Sequence, residues 1–215
     1  QRKKIISNIN NLDVEILFFP SADQITDKNI EFNKFERVDL IDIIDRKINW
    51  NYKKINDFIC NKVVLITGAG GSIGSELVVQ VLSNNPKKLI LIDNNEYNLY
   101  LIDQKIKNLN KYKNNKIDYS LTSILDLNIL TSIFQLNKPD IVFHAAAYKH
   151  VPIAEKNIIS YANNNIIGTK NLIDLSISNK VKNFLFVSTD KAVRPTNIMG
   201  ATKRIAELVI QALSQ

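Results

Sequence analysis

Residues 63–77, VVLITGAGGSIGSEL, constrain this chain more than any other stretch. An aliphatic run leads directly into glycines at 68, 71 and 74, and a helix-forming segment follows at once. Each glycine answers a geometric need: a tight turn at Gly68, close backbone approach to a pyrophosphate at Gly71, and close packing of helix on strand at Gly74. The unpaired amides of Ser72, Ile73 and Gly74 would then face phosphate oxygens at the positive end of the new helix. Glycine-rich turns are common, so the strand before and the helix after are what mark this one as a dinucleotide site.

The same alternation continues along the chain. The β-branched runs KVVLITG, KKLILID, KIDYSL, DIVFHAAA and KNFLFVST are separated by amphipathic segments, with helices expected near 73–84, 95–109, 127–137, 153–178 with a break, and 197–213. The runs lack the apolar/polar alternation of half-exposed strands, which is what a parallel sheet covered on both faces requires. The expected fold is therefore α/β, a doubly wound parallel (Rossmann) sheet over 61–215.

Residues 1–60 read differently. A basic start and a strand-like VEILFFP give way to an Asn/Asp-rich passage and the amphipathic VDLIDIIDRKINWNYKKINDFI. That is too short for a domain with its own large core, so it is read as the tail of a preceding module plus a connector. The Asn/Lys-rich patches near 105–116 read as a helix end and a surface loop.

At 45% hydrophobic and 23% charged residues, 215 residues support one good core. No apolar run approaches the roughly 20 residues of a spanning helix. The net charge of +7 is spread over the chain, with no basic run interleaved with stacking aromatics, so nucleic acid is not an expected partner. The lone Cys60 has no companion for a disulfide and fits a reducing compartment. The chain opens on Gln1 and its single methionine is Met199, so it is expected to be a piece of a longer protein.

Chemistry-bearing residues gather at the strand ends. Asp93 closes the second run, roughly 25 residues beyond Gly68, near the spacing of an acid that accepts from an adenosine 2′-hydroxyl and repels a 2′-phosphate. This favours NAD over NADP; a solvated loop aspartate is the other reading. Asp126 follows the third run, and small side chains at Ala145, Ala146 and Ala147 would let a flat cofactor lie against the backbone. His144 and His150 lack a third ligand, so no metal site is expected. The fifth run delivers Ser188, Thr189, Asp190 and Lys191 to the same sheet edge, where an acid and an amine can do complementary proton work or form an exposed ion pair. Met199 and Lys203 share one helix face. On its own, a methionine there reads as packing.

TGAGGSIGSEL, FHAAAYKHVPIAEKN, NNIIGTKN and VSTDKAVRPTNIMGATKRIAE together resemble the extended short-chain dehydrogenase/reductases, and closely the nucleotide-sugar dehydratases of polysaccharide biosynthesis, typically UDP-N-acetylglucosamine 4,6-dehydratases. Residues 1 to about 60 resemble the connector of the long, membrane-anchored members. Shorter relatives carry tyrosine where this chain has Met199; the long members resemble this chain in carrying methionine. A thioether cannot carry a proton at neutral pH, so Thr189, Asp190, Lys203 or an ordered water is left to take the 4-hydroxyl proton.

The resemblance implies a UDP-sugar substrate and three steps: oxidation at C4 with hydride passing to NAD, loss of water across C5 and C6, and return of the hydride at C6. It implies Lys191 as the base at C5, Asp190 as the acid at the 6-hydroxyl, Thr189 near the 4-oxygen, Lys203 on the nicotinamide ribose, and Lys149, His150 and Asn165 as substrate contacts. Ser123 stands where many members place an adenine-gripping aspartate, with Asp126 three residues on. The substrate-binding region that follows in the family is expected to lie beyond Gln215. A nucleotide-sugar 4-epimerase, or a nucleotide-binding module without turnover, is the alternative reading. The expected setting is cytoplasmic, with a homo-oligomeric parent attached to the inner membrane.

Overall fold

The computed structural model describes residues 17–18, 36–37, 51–109 and 115–213. The chain divides into two compact units, 1–50 and 51–215. In the first, β1 (Leu17–Phe18), inside the VEILFFP run, pairs antiparallel with β2 (Glu36–Arg37). The Asn/Asp-rich passage other than β2, residues 38–50 of the amphipathic segment, and 110–114 of the Asn/Lys-rich patch lie outside the described residues.

The division between units precedes α1 (Tyr52–Ile59) rather than following it at residue 60. Ile59 is buried in the core of the second unit, with Ile55 and Phe58 packed beside it. Asn51 starts this helix by accepting a hydrogen bond from the Lys54 amide at 3.0 Å.

The second unit is built on β3 (Val63–Thr67), β4 (Lys88–Asp93), β5 (Ile117–Leu121), β6 (Ile141–His144) and β7 (Asn183–Phe186). All neighbouring pairs are parallel and the order is β5-β4-β3-β6-β7. The helices are α2 (Ser72–Leu82), α3 (Glu96–Asn108), α4 (Leu127–Asn137), α5 (Val151–Ala154), α6 (Ile158–Ala162), α7 (Gly168–Ser178) and α8 (Ile198–Leu213). A π-turn (Asn163–Ile167) joins α6 to α7, and a 3-10 turn (Asp190–Ala192) follows β7. The doubly wound sheet expected from the sequence is present. The break expected within 153–178 consists of the end of α5 and the π-turn.

Two buried faces explain the continuous apolar runs. Val64, Ile66, Leu89 and Leu91 pack with Val78, Leu82, Leu99 and Ile102 of α2 and α3 on one side. Leu65, Ile90, Ile92 and Val142 pack with Leu130, Phe134, Leu172 and Leu175 of α4 and α7 on the other. Alternate residues of one strand thus enter different cores, and the chain order diverges on either side of β3. The gap between the carboxyl ends of β3 and β6 is where such sheets hold ligands.

Candidate functional site

At Gly68 the chain leaves β3 with φ of +65°, a conformation open to glycine. A Cβ there would also stand 2.7 Å from the Ala146 backbone, so this turn and the loop after β6 meet main chain to main chain. One turn on, any side chain at Gly74 would collide with the Gly68 carbonyl, which is why α2 can start so close to its strand. Gly71 caps α2 and brings no side-chain acceptor to its first amides. Those donors fit an anion at the helix start.

A cleft of about 450 Å³ opens here. Gly68, Gly71, Ser72, Ile73, Gly74, Asp93, Ala145, Ala146, Ala147, Lys149, Thr189, Lys191, Met199 and Lys203, all singled out in the sequence, line it. Asp93 is 6% exposed and accepts from the amides of Gly70 and Asn95, both at 3.0 Å. These two bonds hold its carboxylate at the β4 end of the cleft. Lys149 reaches Ser72, with Nζ donating to Oγ at 3.3 Å, and brings a cation to the start of α2.

Four of the residues expected to touch cofactor or substrate lie outside the lining. Asp126 caps α4 by accepting from the Ile129 amide at 3.1 Å, while Thr122 and Ile124 line the cleft at the end of β5. An aspartate before a helix reads equally as a cap or a ligand contact, and here its oxygen serves the cap. His150 stands at the start of α5, where its carbonyl accepts from the Tyr161 hydroxyl at 2.9 Å. Asn165 is buried and its amide is spent on the protein: Oδ1 accepts from the Tyr148 amide, and Nδ2 donates to the Tyr148 carbonyl and to Thr202 Oγ1. Asp190 is the fourth, with a side chain 87% exposed.

The 3-10 turn and its cap bring a hydroxyl, a carboxylate and an amine together. Thr189 Oγ1 donates to Asp190 Oδ1 at 2.9 Å, and Lys191 Nζ lies 3.5 Å from the same oxygen. The Thr189 hydroxyl, with Lys191 next, holds the Asp190 carboxyl below its ordinary range. On α8, which packs on this turn at Gly200, Met199 is 5% exposed and packs against Ala154 and Tyr161. Lys203 Nζ donates to the Val187 carbonyl at 2.6 Å and sits 3.9 Å above the Phe186 ring. Burial lowers Lys203 to about 8, against the pull of Glu207.

Beneath the cleft runs a hydrogen-bonded chain with a readable direction. Thr169 gives its only hydroxyl proton to the Asn165 carbonyl at 2.7 Å, so its contact with His144 Nε2 at 2.9 Å must be one in which the imidazole donates. Nδ1 is then an acceptor, and the Thr67 hydroxyl donates to it at 2.7 Å. The Ala146 amide donates in turn to Thr67 Oγ1 at 3.4 Å. Burial, helped by the charge of Lys203, lowers His144 to about 3 and keeps it neutral. Both ring nitrogens are engaged, and no cluster of metal-ligating side chains exists among the described residues.

Asn98, Thr122, Ile124, Tyr148 and Asn164 also line the cleft and were not singled out in the sequence. Thr122 and Ile124 stand just after a strand, and Tyr148 and Asn164 lie inside the motifs FHAAAYKHVPIAEKN and NNIIGTKN, which are the signals that could have found them.

A family model described as "Polysaccharide biosynthesis protein" matches residues 64–215. The chain belongs to this family. Within it, the resemblance to nucleotide-sugar dehydratases of the extended short-chain dehydrogenase/reductase type is borne out. The chain is 40% identical over 220 residues to the capsular polysaccharide biosynthesis protein CapD of Staphylococcus aureus, covering 100% of this chain and 36% of that protein. It is 34% identical over 152 residues to the inverting UDP-N-acetylglucosamine 4,6-dehydratase of Campylobacter jejuni, covering 70% of this chain and 43% of that enzyme. Among solved structures, Pen from Bacillus thuringiensis superposes with a TM-score of 0.67 at 36% identity, covering 73% of this chain and 48% of that one. This member of the polysaccharide biosynthesis family thus spans less than half the length of these relatives. No helix among its described residues is long and apolar enough to cross a membrane.

Proposed function

We propose that the chain supplies the cofactor half of an NAD-dependent UDP-N-acetylhexosamine 4,6-dehydratase serving polysaccharide or glycan synthesis. The observation that carries this reading is the shared cleft: the glycine turn, the Thr189–Lys191 turn and Lys203 all open onto it. In this reading the amides of Ser72, Ile73 and Gly74 hold the pyrophosphate, Asp93 the adenosine ribose, and the Ala145–Ala147 backbone the flat face of the cofactor. The buried carboxylate of Asp93 favours NAD, since a 2′-phosphate would meet like charge. Bound there, NAD supplies the reversible oxidation at C4 that acidifies the C5 hydrogen.

The protein's own groups divide the proton work. Asp190 is ionised in this arrangement, and Thr189 stands beside it as a hydroxyl able to pass a proton on. We assign this pair to the 4-hydroxyl, the task for which Met199 has no acidic proton. Asp190, once protonated, returns that proton to the departing 6-hydroxyl, while Lys191, in the neutral form this step requires, removes the one at C5. One carboxyl thus serves two steps. Lys149 is assigned to the anionic part of the substrate or cofactor, and Asn165 to holding the Tyr148 loop. The parent protein is proposed to be a homo-oligomer attached to the inner membrane, with this unit on the cytoplasmic side.

The test is to incubate the full-length parent with UDP-N-acetylglucosamine and follow product mass. Loss of one water with the nucleotide retained is expected, and Lys191→Ala should abolish that loss while leaving cofactor binding intact. An unchanged mass with epimerised sugar would replace the dehydratase by an epimerase. Water loss at the normal rate in Lys191→Ala would remove Lys191 from its role.

A further inference from the structure

Glu207 lies on α8 one turn beyond Lys203, on none of the surfaces that line the cleft. Its carboxylate is nevertheless tied to the segment that carries the chemistry. Ser188, which lines the cleft next to Thr189, donates its hydroxyl to Glu207 Oε1 at 2.5 Å. Arg204 donates to Oε2 at 2.9 Å from the solvent side. Those two hydrogen bonds, Ser188 first, hold the Glu207 carboxyl below its ordinary range, so it is a fixed negative charge beside Lys203.

Lys203 needs such a charge. It is 6% exposed, and its Nζ donates to the carbonyl of Val187, the residue before Ser188. The other titratable groups around it are His144 at the end of β6, which is neutral, Tyr161 on α6, and Asp190 and Lys191, which pair with each other in the 3-10 turn. On α7 Lys170 is paired with Asp174. On its own helix Arg204 is a second cation. Glu207 is the charge that favours the ammonium. With methionine at 199, Lys203 is also the ionisable side chain that α8 brings to the cleft.

We propose that Glu207 is a positioning residue of this site: through Ser188 it pins the 187–189 segment to α8, beside the bond from Lys203 to Val187, and keeps Lys203 charged where the cleft meets its ligand. The part that concerns the ligand rests on the reading of the cleft as an NAD site. The part that concerns Lys203 does not.

The experiment uses the whole chain with 13C-labelled lysine, the Lys203 signal being assigned by its loss in Lys203→Arg. In the unsubstituted protein Lys203 should titrate near pH 8, as its burial dictates. Glu207→Gln, nearly isosteric, should move that midpoint down. Arg204→Gln, at an exposed position, should move it up by freeing the Glu207 charge. An unmoved midpoint in both variants overturns the proposal. If only Arg204→Gln folds well enough to titrate, a midpoint that fails to rise overturns it equally.

Calorimetry with NAD supplies the second readout. At about pH 6 Lys203 is charged in both proteins, and Glu207→Gln should bind NAD as the unsubstituted protein does. At about pH 8, a fall of one unit in the midpoint should weaken binding about fivefold, in step with the charged fraction. Equal weakening at both pH values would mark Glu207 as merely structural and overturn the proposal. Absence of NAD binding by the unsubstituted protein would refute the cofactor reading, leaving the Lys203 midpoint to decide on Glu207.

Discussion

His144 is fully buried and neutral, and both of its ring nitrogens are bonded to threonine hydroxyls. Its midpoint lies at about 3 in the folded protein against 6.5 for an unperturbed imidazole. Between these values the unfolded chain binds the extra proton, so stability rises with pH through that window and is lost as the solution is acidified below about pH 6.5. The expected contribution is of the order of a few kcal/mol. Urea unfolding from about pH 7 to 4 should show it, and His144→Gln should flatten this slope. Lys203 acts in another window: its midpoint is lowered from 10.5 to about 8, so the cost of burying its charge fades as pH rises between those values. Neither behaviour was legible in the sequence. The partners of His144 stand 77 and 25 positions away, and a strand-end histidine shows nothing of them. Glu207 looks in sequence like any charge on an amphipathic helix, because its value depends on Ser188, a residue from another element.

At the scale of elements, the glycine turn is the least forgiving part of the site. Gly74→Ala would drive a methyl into the Gly68 carbonyl and push α2 off β3. The expected loss is about 1–3 kcal/mol in thermal or urea unfolding, with NAD binding weakened more than that loss alone explains, because the phosphate-facing amides move with the helix. This turn was readable because its constraint is local: strand, glycine and helix are consecutive in the chain. The inner strands β3, β4 and β6 were readable for a related reason, since burial on both faces leaves continuous apolar runs, whereas the edge strands β5 and β7 are partly exposed. The π-turn at Asn163–Ile167 was visible in the sequence only as an unplaced break within 153–178. Periodicity shows where a helix deviates, but what the extra residue achieves, burying both Asn164 and Asn165, depends on Tyr148 and Thr202 from elsewhere. Asp126 illustrates a residue whose two sequence readings, cap and ligand contact, only geometry separates.

At the scale of the molecule, every described residue that lines the cleft belongs to the unit 51–215. A chain beginning at Asn51 is therefore expected to bind NAD as tightly as the whole chain, and calorimetry on the two would show it; a large loss would bring residues 1–50 into the site. Within this unit β3 is central in space yet first in order, and its pairing with β6 joins residues as far apart as Thr67 and His144. A ribosome releases the β3-β4-β5 half long before β6 and β7 emerge. That half holds the glycine turn and Asp93, but it lacks the opposite wall with Ala145–Ala147, Thr189 and Lys203. The cleft thus comes into being only when the second half docks along β3, and a dinucleotide bound across it acts as a staple between early and late parts of the chain. At a hundredfold excess over its dissociation constant such a ligand would add about 2.7 kcal/mol to the stability of the joined unit, and would do nothing for either half alone.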